Sequence, residues 1–238
     1  MHELLRIVEN PRRCSYLPAE TASLDVRLIA AMTPAEYTDL LARGYRRFGW
    51  QVFRPACPAC IQCKSVRVLV QNFTPGTRDR RILRKNSTIR AELQPLFATP
   101  QHIDLYNLYH RFMHEHRGWR LQQTTLSSYQ EDFFSGATAI GRQWLYYQGG
   151  ELIGVAFMDE APDAISLIYC FYHPDWRASS PGAFSIINQL LYAKERKLQH
   201  AYLGYWIEAC PSMSYKGRFR PHEVLQAYPP PEASPVWR

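Results

Sequence analysis

Three cysteines two residues apart, Cys57, Cys60 and Cys63, constrain the first part of this chain more tightly than any other feature. Thiolates at this spacing fall on one side of a tight turn and converge on a single ion, and Pro55 and Pro58 stiffen the turn. Four thiolates complete a tetrahedral zinc site or hold a four-iron cluster. Cys14 is the one other cysteine in the first half, so elimination makes it the fourth ligand. The spacing does not choose between zinc and iron–sulfur. Cys170 and Cys210 lie in apolar, strand-like contexts and read as packing residues. The start, MHELLRIVENPRR, has scattered charges and no apolar core, and no later run approaches membrane-spanning length. The expectation is a cytoplasmic chain with no membrane partner, where six cysteines argue against structural disulfides.

Charge narrows the partner. Lys and Arg number 28 against 21 Asp and Glu, a formal net charge of +7, which favours anionic partners. The cations concentrate in two places. Arg78, Arg80, Arg81, Arg84 and Lys85 face a single acid, Asp79. That segment is either a solvated helix face or a surface that tracks phosphates. The second place is YLGYWIEACPSMSYKGRFRP, Tyr202 to Pro221, an aromatic strand-like run that turns into Lys216, Arg218 and Arg220. Aromatic rings interleaved with cations suit nucleic acid, although a basic loop closing a sheet would read the same way.

The element order is legible from local signals. Thr33-Pro34-Ala35-Glu36 is a capping box opening a helix that Gly44 stops. Val66, Val68 and Val70 alternate as a strand. Residues 1–72 form an expected N-terminal cysteine-rich layer, and residues 73–238 the second domain. In the latter, a strand at 88–96 precedes a helix capped by Thr99 and another helix at 126–134. Strands at 143–147 and 152–158 flank the Gly149-Gly150 turn. A strand at 164–172, a helix at 183–196 and a strand at 201–206 complete the order. The order β-α-α-β-β-β-α-β is similar to that of the GNAT acyltransferase fold. The fold class is therefore α+β, a mixed sheet flanked by helices. In that fold, as the resemblance implies, the loop between the fourth and fifth strands binds the acyl donor; here it is residues 177–182, with Ser179, Ser180 and Gly182 opening onto a helix N-terminus. The ending YPPPEASPVW reads as an extended tail.

With these residues in view, the chain resembles the arginyl-tRNA–protein transferase family, on its bacterial aspartate/glutamate leucyltransferase branch. The resemblance spans nearly the whole chain. It rests on CSYLP at 14–18, Gly44-Tyr45-Arg46-Arg47, the three-cysteine spacing, Arg80-Arg81-Ile82-Leu83, Tyr172 to Trp176 and LGYWIEACPSMSYKGRFRP. It implies an N-degron enzyme of protein degradation that moves an amino acid from aminoacyl-tRNA to proteins with N-terminal Asp or Glu. Leucine is the expected donor, with arginine the rival, and DNA is not an expected partner. A non-catalytic tRNA-binding protein with a redox-sensing cluster is the reading of a different class. Eukaryotic relatives carry C-x2-C at the first cysteine, whereas this chain reads Cys14-Ser15-Tyr16-Leu17. Ser180-Pro181-Gly182 stands where Ser-Leu-Gly is expected.

The chemistry assigns candidate roles. The attacking α-amine has a pKa of about 7.7–8.0, so positioning supplies most of the acceleration. Asp175 and Glu208, at the ends of neighbouring strands, are candidates to hold or deprotonate it; a turn cap and a surface carboxylate are the plain alternatives. The acceptor's acidic side chain needs a cation, from Arg46, Arg47, Lys216, Arg218 or Arg220. The acceptor then lies between the two parts of the chain. Tyr205, Trp206 and Tyr215 stack the terminal adenine or wall the pocket, with core packing the simpler job for Tyr205. His110, His114 and His116 read as stray histidines on a surface helix.

Overall fold

A computed structural model describes residues 1–136 and 139–238. Its elements in chain order are β1 (His2–Val8), β2 (Arg12–Arg13), β3 (Thr21–Ala22), β4 (Leu24–Ala31), α1 (Pro34–Ala42), β5 (Arg46–Phe48), β6 (Gln51–Pro55) and β7 (Lys64–Leu69). Then follow α2 (Thr77–Lys85), β8 (Arg90–Pro95), α3 (Pro100–Arg117), α4 (Leu126–Phe133), β9 (Gly141–Gln148), β10 (Glu151–Glu160), β11 (Ala164–Tyr172), α5 (Pro181–Glu195), β12 (His200–Trp206) and β13 (His222–Val224). No described helix is long and apolar enough to cross a membrane.

Two sheets organise these elements. The first, ordered β1-β4-β6-β5, carries α1, whose capping box forms as the sequence predicts. The second has seven strands ordered β13-β7-β12-β11-β10-β9-β8. β7 pairs with β12 and β13, so a boundary at residue 72 cuts through this sheet, and the separate first layer ends before Lys64. One side of the large sheet is closed by α5, with Ile187, Leu190 and Ala193 fully buried. On the other side, α3 and α4 supply an aromatic layer in which Phe133 stacks on Phe157 with ring centroids 4.3 Å apart.

Two expectations fail for the same reason, a partner distant in sequence. The C-terminal tail is packed: Trp237 donates its indole N–H to the Ala42 carbonyl at 2.9 Å, and Arg67 lies over the ring at 4.4 Å. Tyr228 donates its hydroxyl to the Cys63 carbonyl at 2.6 Å. His110 is buried rather than stray, stacked 4.1 Å from Tyr106 and bonded through Nε2 to the Tyr169 hydroxyl at 3.0 Å.

The feature that positions the site is a parting of strands. β11 and β12 are parallel, and their pairing covers only Ala164–Ser166 against His200–Tyr202. Both strands continue, to Tyr172 and Trp206, and leave β11 carbonyls facing a cleft instead of a neighbour. An unpaired carbonyl row away from water needs a donor.

Candidate active site

Arg46 supplies that donor. It reaches from β5 of the first sheet, and its Nη2 donates to the Leu167 carbonyl at 2.7 Å and the Ile168 carbonyl at 3.1 Å. Its guanidinium carbon lies 5.8 Å from the Tyr205 ring centre. Gly204 makes room: a Cβ there would sit 1.9 Å from Arg46 Nη1, and its φ of +79° falls in the left-handed region. The pairing of β12 with β7 shifts register between Tyr202 and Gly204, so the glycine marks a bulge.

Lys216 lies beside Arg46. It is 7% exposed, and its Nζ donates to the Tyr205 carbonyl at 3.0 Å. Burial pushes its pKa well below the ordinary lysine value, and the nearby Arg46 charge pushes the same way. Among the described residues, neither Arg46 nor Lys216 takes part in an ion pair. Buried charge normally has a counter-charge.

Arg47 contrasts with its neighbour, because strand alternation points it the other way. Its Nε and Nη2 donate to Asp159 at 2.7 and 2.8 Å, and Nη1 donates to the Gly49 and Ser135 carbonyls. Tyr37 also donates to Asp159, at 2.7 Å. Arg47 is 3% exposed with four of its five N–H donors spent inside the protein, so it does not face a substrate carboxylate, which corrects its candidacy. Arg218 is engaged with Asp79 at 3.1 Å, although its Nε is buried without a partner. Arg220 is exposed and lines a shallow cavity of about 470 Å³ with Asn72, Thr74, Pro221 and His222.

The aromatic candidates divide. Tyr205 is 4% exposed, and its hydroxyl donates to the Phe53 carbonyl at 3.0 Å, tying the two sheets together. Trp206 donates to the Ser214 carbonyl at 3.1 Å and packs where a Cβ on Gly217 would come within 2.9 Å. Tyr215 is 41% exposed and borders the cleft, close enough to Arg46 and Arg218 for their charges to act on it. Cys170 also borders it, its thiol pushed up to about 12 by burial.

The two carboxylates stand past the ends of the parting strands. Asp175 is 92% exposed at its side chain, 3.6 Å from His173, and its backbone N–H donates to His173 Nδ1. Glu208 is exposed in the turn after β12.

The loop at 177–182, expected to bind the donor, is braced from α2. Lys85 Nζ donates to the Ala178 carbonyl at 3.1 Å, and Asn86 Nδ2 donates to the Ser179 carbonyl at 2.9 Å. Asn86 accepts from the Trp176 indole at 2.7 Å, and the Trp176 ring fills the space that a side chain on Gly154 would need. Ser180 takes a left-handed φ of 60° before α5 begins. A Cβ at Gly182 would meet nothing within 4 Å, so its face is open. Arg78, Arg80, Arg81, Arg84 and Lys85 are all exposed on α2. The Arg218–Asp79 contact ties this helix to the segment beside the cleft. Sequence reasoning missed Asn86, Gly204 and the isolation of Lys216; the glycine inside an aromatic strand was the available signal for the bulge.

Among the described residues, the structure does not show the expected four-cysteine site. Cys14 Sγ accepts the N–H groups of Tyr16 and Leu17 at 3.4 Å, and Cys57 Sγ donates to the Ser23 carbonyl at 3.7 Å. Burial first, then Cys57, Cys14 and Cys60, push the Cys63 thiol up to about 12. All four are free thiols in one neighbourhood, yet among the described residues no group of three or more ligands is arranged to hold an ion. The donor set fits a thiophilic metal; the arrangement does not display the site.

The comparisons with known proteins follow this geometry. Residues 12–81 and 101–226 match the N-terminal and C-terminal parts of the family described as arginine-tRNA-protein transferase. The chain is 36% identical to an aspartate/glutamate leucyltransferase of Helicobacter hepaticus, covering 98% of each. It is also 36% identical to one of Marinobacter nauticus, covering 91% of this chain and 90% of the relative. Among solved structures, FemX aligns at a TM-score of 0.53 with 8% identity, covering 85% of this chain and 69% of that one, which speaks for fold alone. The fold is α+β, a mixed sheet flanked by helices, as expected. The chain belongs to the arginine-tRNA-protein transferase family and is an aminoacyl-tRNA-dependent protein aminoacyltransferase.

Proposed function

We propose that this enzyme transfers leucine from Leu-tRNA to proteins that begin with Asp or Glu. The observation that carries the reading is the pair Arg46, half-buried, and Lys216, buried, side by side at the parting of β11 and β12 and in no ion pair among the described residues. An acidic side chain supplies the missing counter-charge, and Asn or Gln, nearly the same size, does not. Arginine as donor is the weaker alternative, since a cationic side chain that passes the carboxylates at the mouth of the cleft meets Arg46 and Lys216 inside it.

The reaction forms a C–N bond between the acceptor α-amine and the aminoacyl carbonyl and breaks the ester bond to the tRNA ribose. The amine's proton ends on the leaving ribose oxygen. Asp175 and Glu208 flank the mouth of the cleft, and each is a candidate to hold the ammonium and take its proton. The ester end would lie against β11 beyond Ile168, with the tRNA's phosphates on the donor loop at Ser179, Ser180 and Gly182 and on the exposed cations of α2. Trp206 and Tyr215 wall the cleft.

Zinc or an iron–sulfur cluster, where bound, would be held by Cys14, Cys57, Cys60 and Cys63 and would stabilise the first layer, since the binding energy of a structural site is folding energy. Cys60→Ser should then lose metal after anaerobic purification and unfold the first layer at lower denaturant; full metal content in that variant would remove the four-thiolate site.

The deciding test is incubation of an Asp-initiated peptide with tRNA pools charged with single amino acids, read by mass spectrometry. A mass gain of one leucyl residue is expected, with none on the Asn-initiated control. Arg46→Ala and Lys216→Met should raise KM for the Asp peptide by about tenfold or more, the worth of a lost bond to a charged group. Arginine addition, or equal use of the Asn peptide, would overturn the reading.

A further inference from the structure

α3 ends beside the donor loop in a surface that the fold does not require. Gly118 closes the helix in the left-handed conformation, and the chain turns so that Trp119 stands 38% exposed. That indole meets two buried aromatics at steep angles, with ring centroids 6.1 Å from Tyr109 and 5.8 Å from His110. A turn away, Phe112 and His116 stack at 4.0 Å. Arg177 of the donor loop lies over Phe112 at 5.7 Å, which joins this surface to the loop.

The charges around these rings are uncompensated. Arg117 and Arg120 are exposed, and among the described residues neither they nor Arg177 takes part in an ion pair. Nearby acids are Glu115 and Asp175, both exposed. A solvated helix end accounts for the arginines alone. It does not use the rings beside them, an indole 38% exposed and anchored against two buried aromatics and a Phe112 ring that Arg177 caps.

We propose that the end of α3, with Trp119, Phe112, Arg117, Arg120 and Arg177, binds the unpaired 3′ end of the donor RNA by base stacking and phosphate contact. Every base offers a flat face, so aromatic platforms between cations grip a single strand without reading its sequence. The donor loop is then bracketed by two basic surfaces of different kind. α2 offers cations without rings, suited to a duplex backbone, and the end of α3 offers cations with rings, suited to unstacked bases. This inference rests on aminoacyl-tRNA as the donor.

The test uses Trp119→Ala, Trp119→Phe and Arg117→Ala/Arg120→Ala in the full chain, with KM measured separately for charged tRNA and for the acceptor peptide. A single-stranded RNA ending in CCA serves as competitor. Trp119→Ala should raise KM for charged tRNA and the competitor's inhibition constant by about tenfold, with Trp119→Phe recovering most of the loss. KM for the peptide should stay within about twofold. An unchanged tRNA KM in Trp119→Ala, or a rise in the peptide KM instead, would overturn the stacking site. Wild-type protein that transfers nothing from any charged tRNA would instead overturn the donor assignment, and the two failures are distinguishable in one experiment.

Discussion

Arg47 and Lys216 are two buried cations treated in opposite ways. Arg47, 3% exposed, is gripped by both oxygens of Asp159 and by two carbonyls, and Tyr37 completes the Asp159 shell. Lys216, 7% exposed, has one carbonyl, a neighbouring guanidinium that disfavours its charge, and the Cys63 and Cys210 thiols, which favour it, but no carboxylate. The first arrangement joins the two sheets, because Arg47 comes from β5 and Asp159 from β10. The second leaves charge waiting for a partner that the chain does not provide. A protein keeps an uncompensated buried cation where a ligand compensates it. The contrast separates residues that hold the cleft open from those that work in it.

Breaking the first arrangement should have the largest effect. Arg47→Ala leaves Asp159 and Tyr37 buried without their cation, and loss of one partner from a buried ion pair costs about 3–5 kcal/mol. Denaturant unfolding should show that loss, with transfer activity falling in step with the folded fraction. Lys216→Met removes a charge that burial already disfavours, so its unfolding midpoint should equal or exceed that of wild type. If both variants lost stability alike, Lys216 would be a structural cation and the contrast would fail.

pH sharpens the comparison. Burial holds the folded-state pKa of Lys216 below its unfolded value of about 10.4. Between those two values the unfolded chain carries the extra proton, so this group makes stability rise with pH, a gain complete above the unfolded value and lost as pH falls through the folded one. Lys216→Met should lack that rise. Cys63, raised to about 12 by burial and its fellow thiols, works in the opposite sense above its unfolded value. The Cys63 and Cys210 thiols act on Lys216, so the difference between wild type and Lys216→Met reports the lysine below the range where the thiols ionise, and identical pH curves there would show that its burial carries no cost.

What the sequence disclosed, and what it hid, follows range of interaction. α1 was legible because Thr33 and Glu36 cap it within one turn, and β11 because its apolar run is bounded locally. The α2 segment showed its charge and, as one of two readings, a helix face, but not which reading holds, since one apolar residue, Ile82, is all that it buries deeply. Arg46 and Arg47 looked equivalent as adjacent cations. Their fates diverge only because one meets carbonyls 121 and 122 residues away and the other a carboxylate 112 residues away. The tail from Tyr228 to Trp237 hid its packing behind prolines for the same reason, its partners being Cys63, Arg67 and Ala42.

The comparison extends to cations left in water, where single effects are smallest. Arg78, Arg81 and Arg84 are exposed on α2 and take part in no ion pair among the described residues. Arg80 is exposed too and bonds only its own turn, through Pro75 and Thr77. Removing any one leaves nothing buried unpaired, so stability should change by less than about 0.5 kcal/mol. Binding should respond in another way. Each phosphate neutralised releases counterions, and losing one such contact should reduce the slope of log affinity against log salt by about 0.7–0.9. Arg81→Ala and Arg84→Ala, singly and together, should flatten the slope for charged tRNA stepwise and leave KM for the acceptor peptide alone. Lys85→Ala should differ, because that side chain also braces the donor loop through Ala178, and its loss should lower kcat as well. Equal salt slopes across the series would assign α2 to solvent and move the duplex-binding surface elsewhere, while a kcat loss confined to Lys85→Ala would locate the link between RNA binding and chemistry at the Ala178 carbonyl.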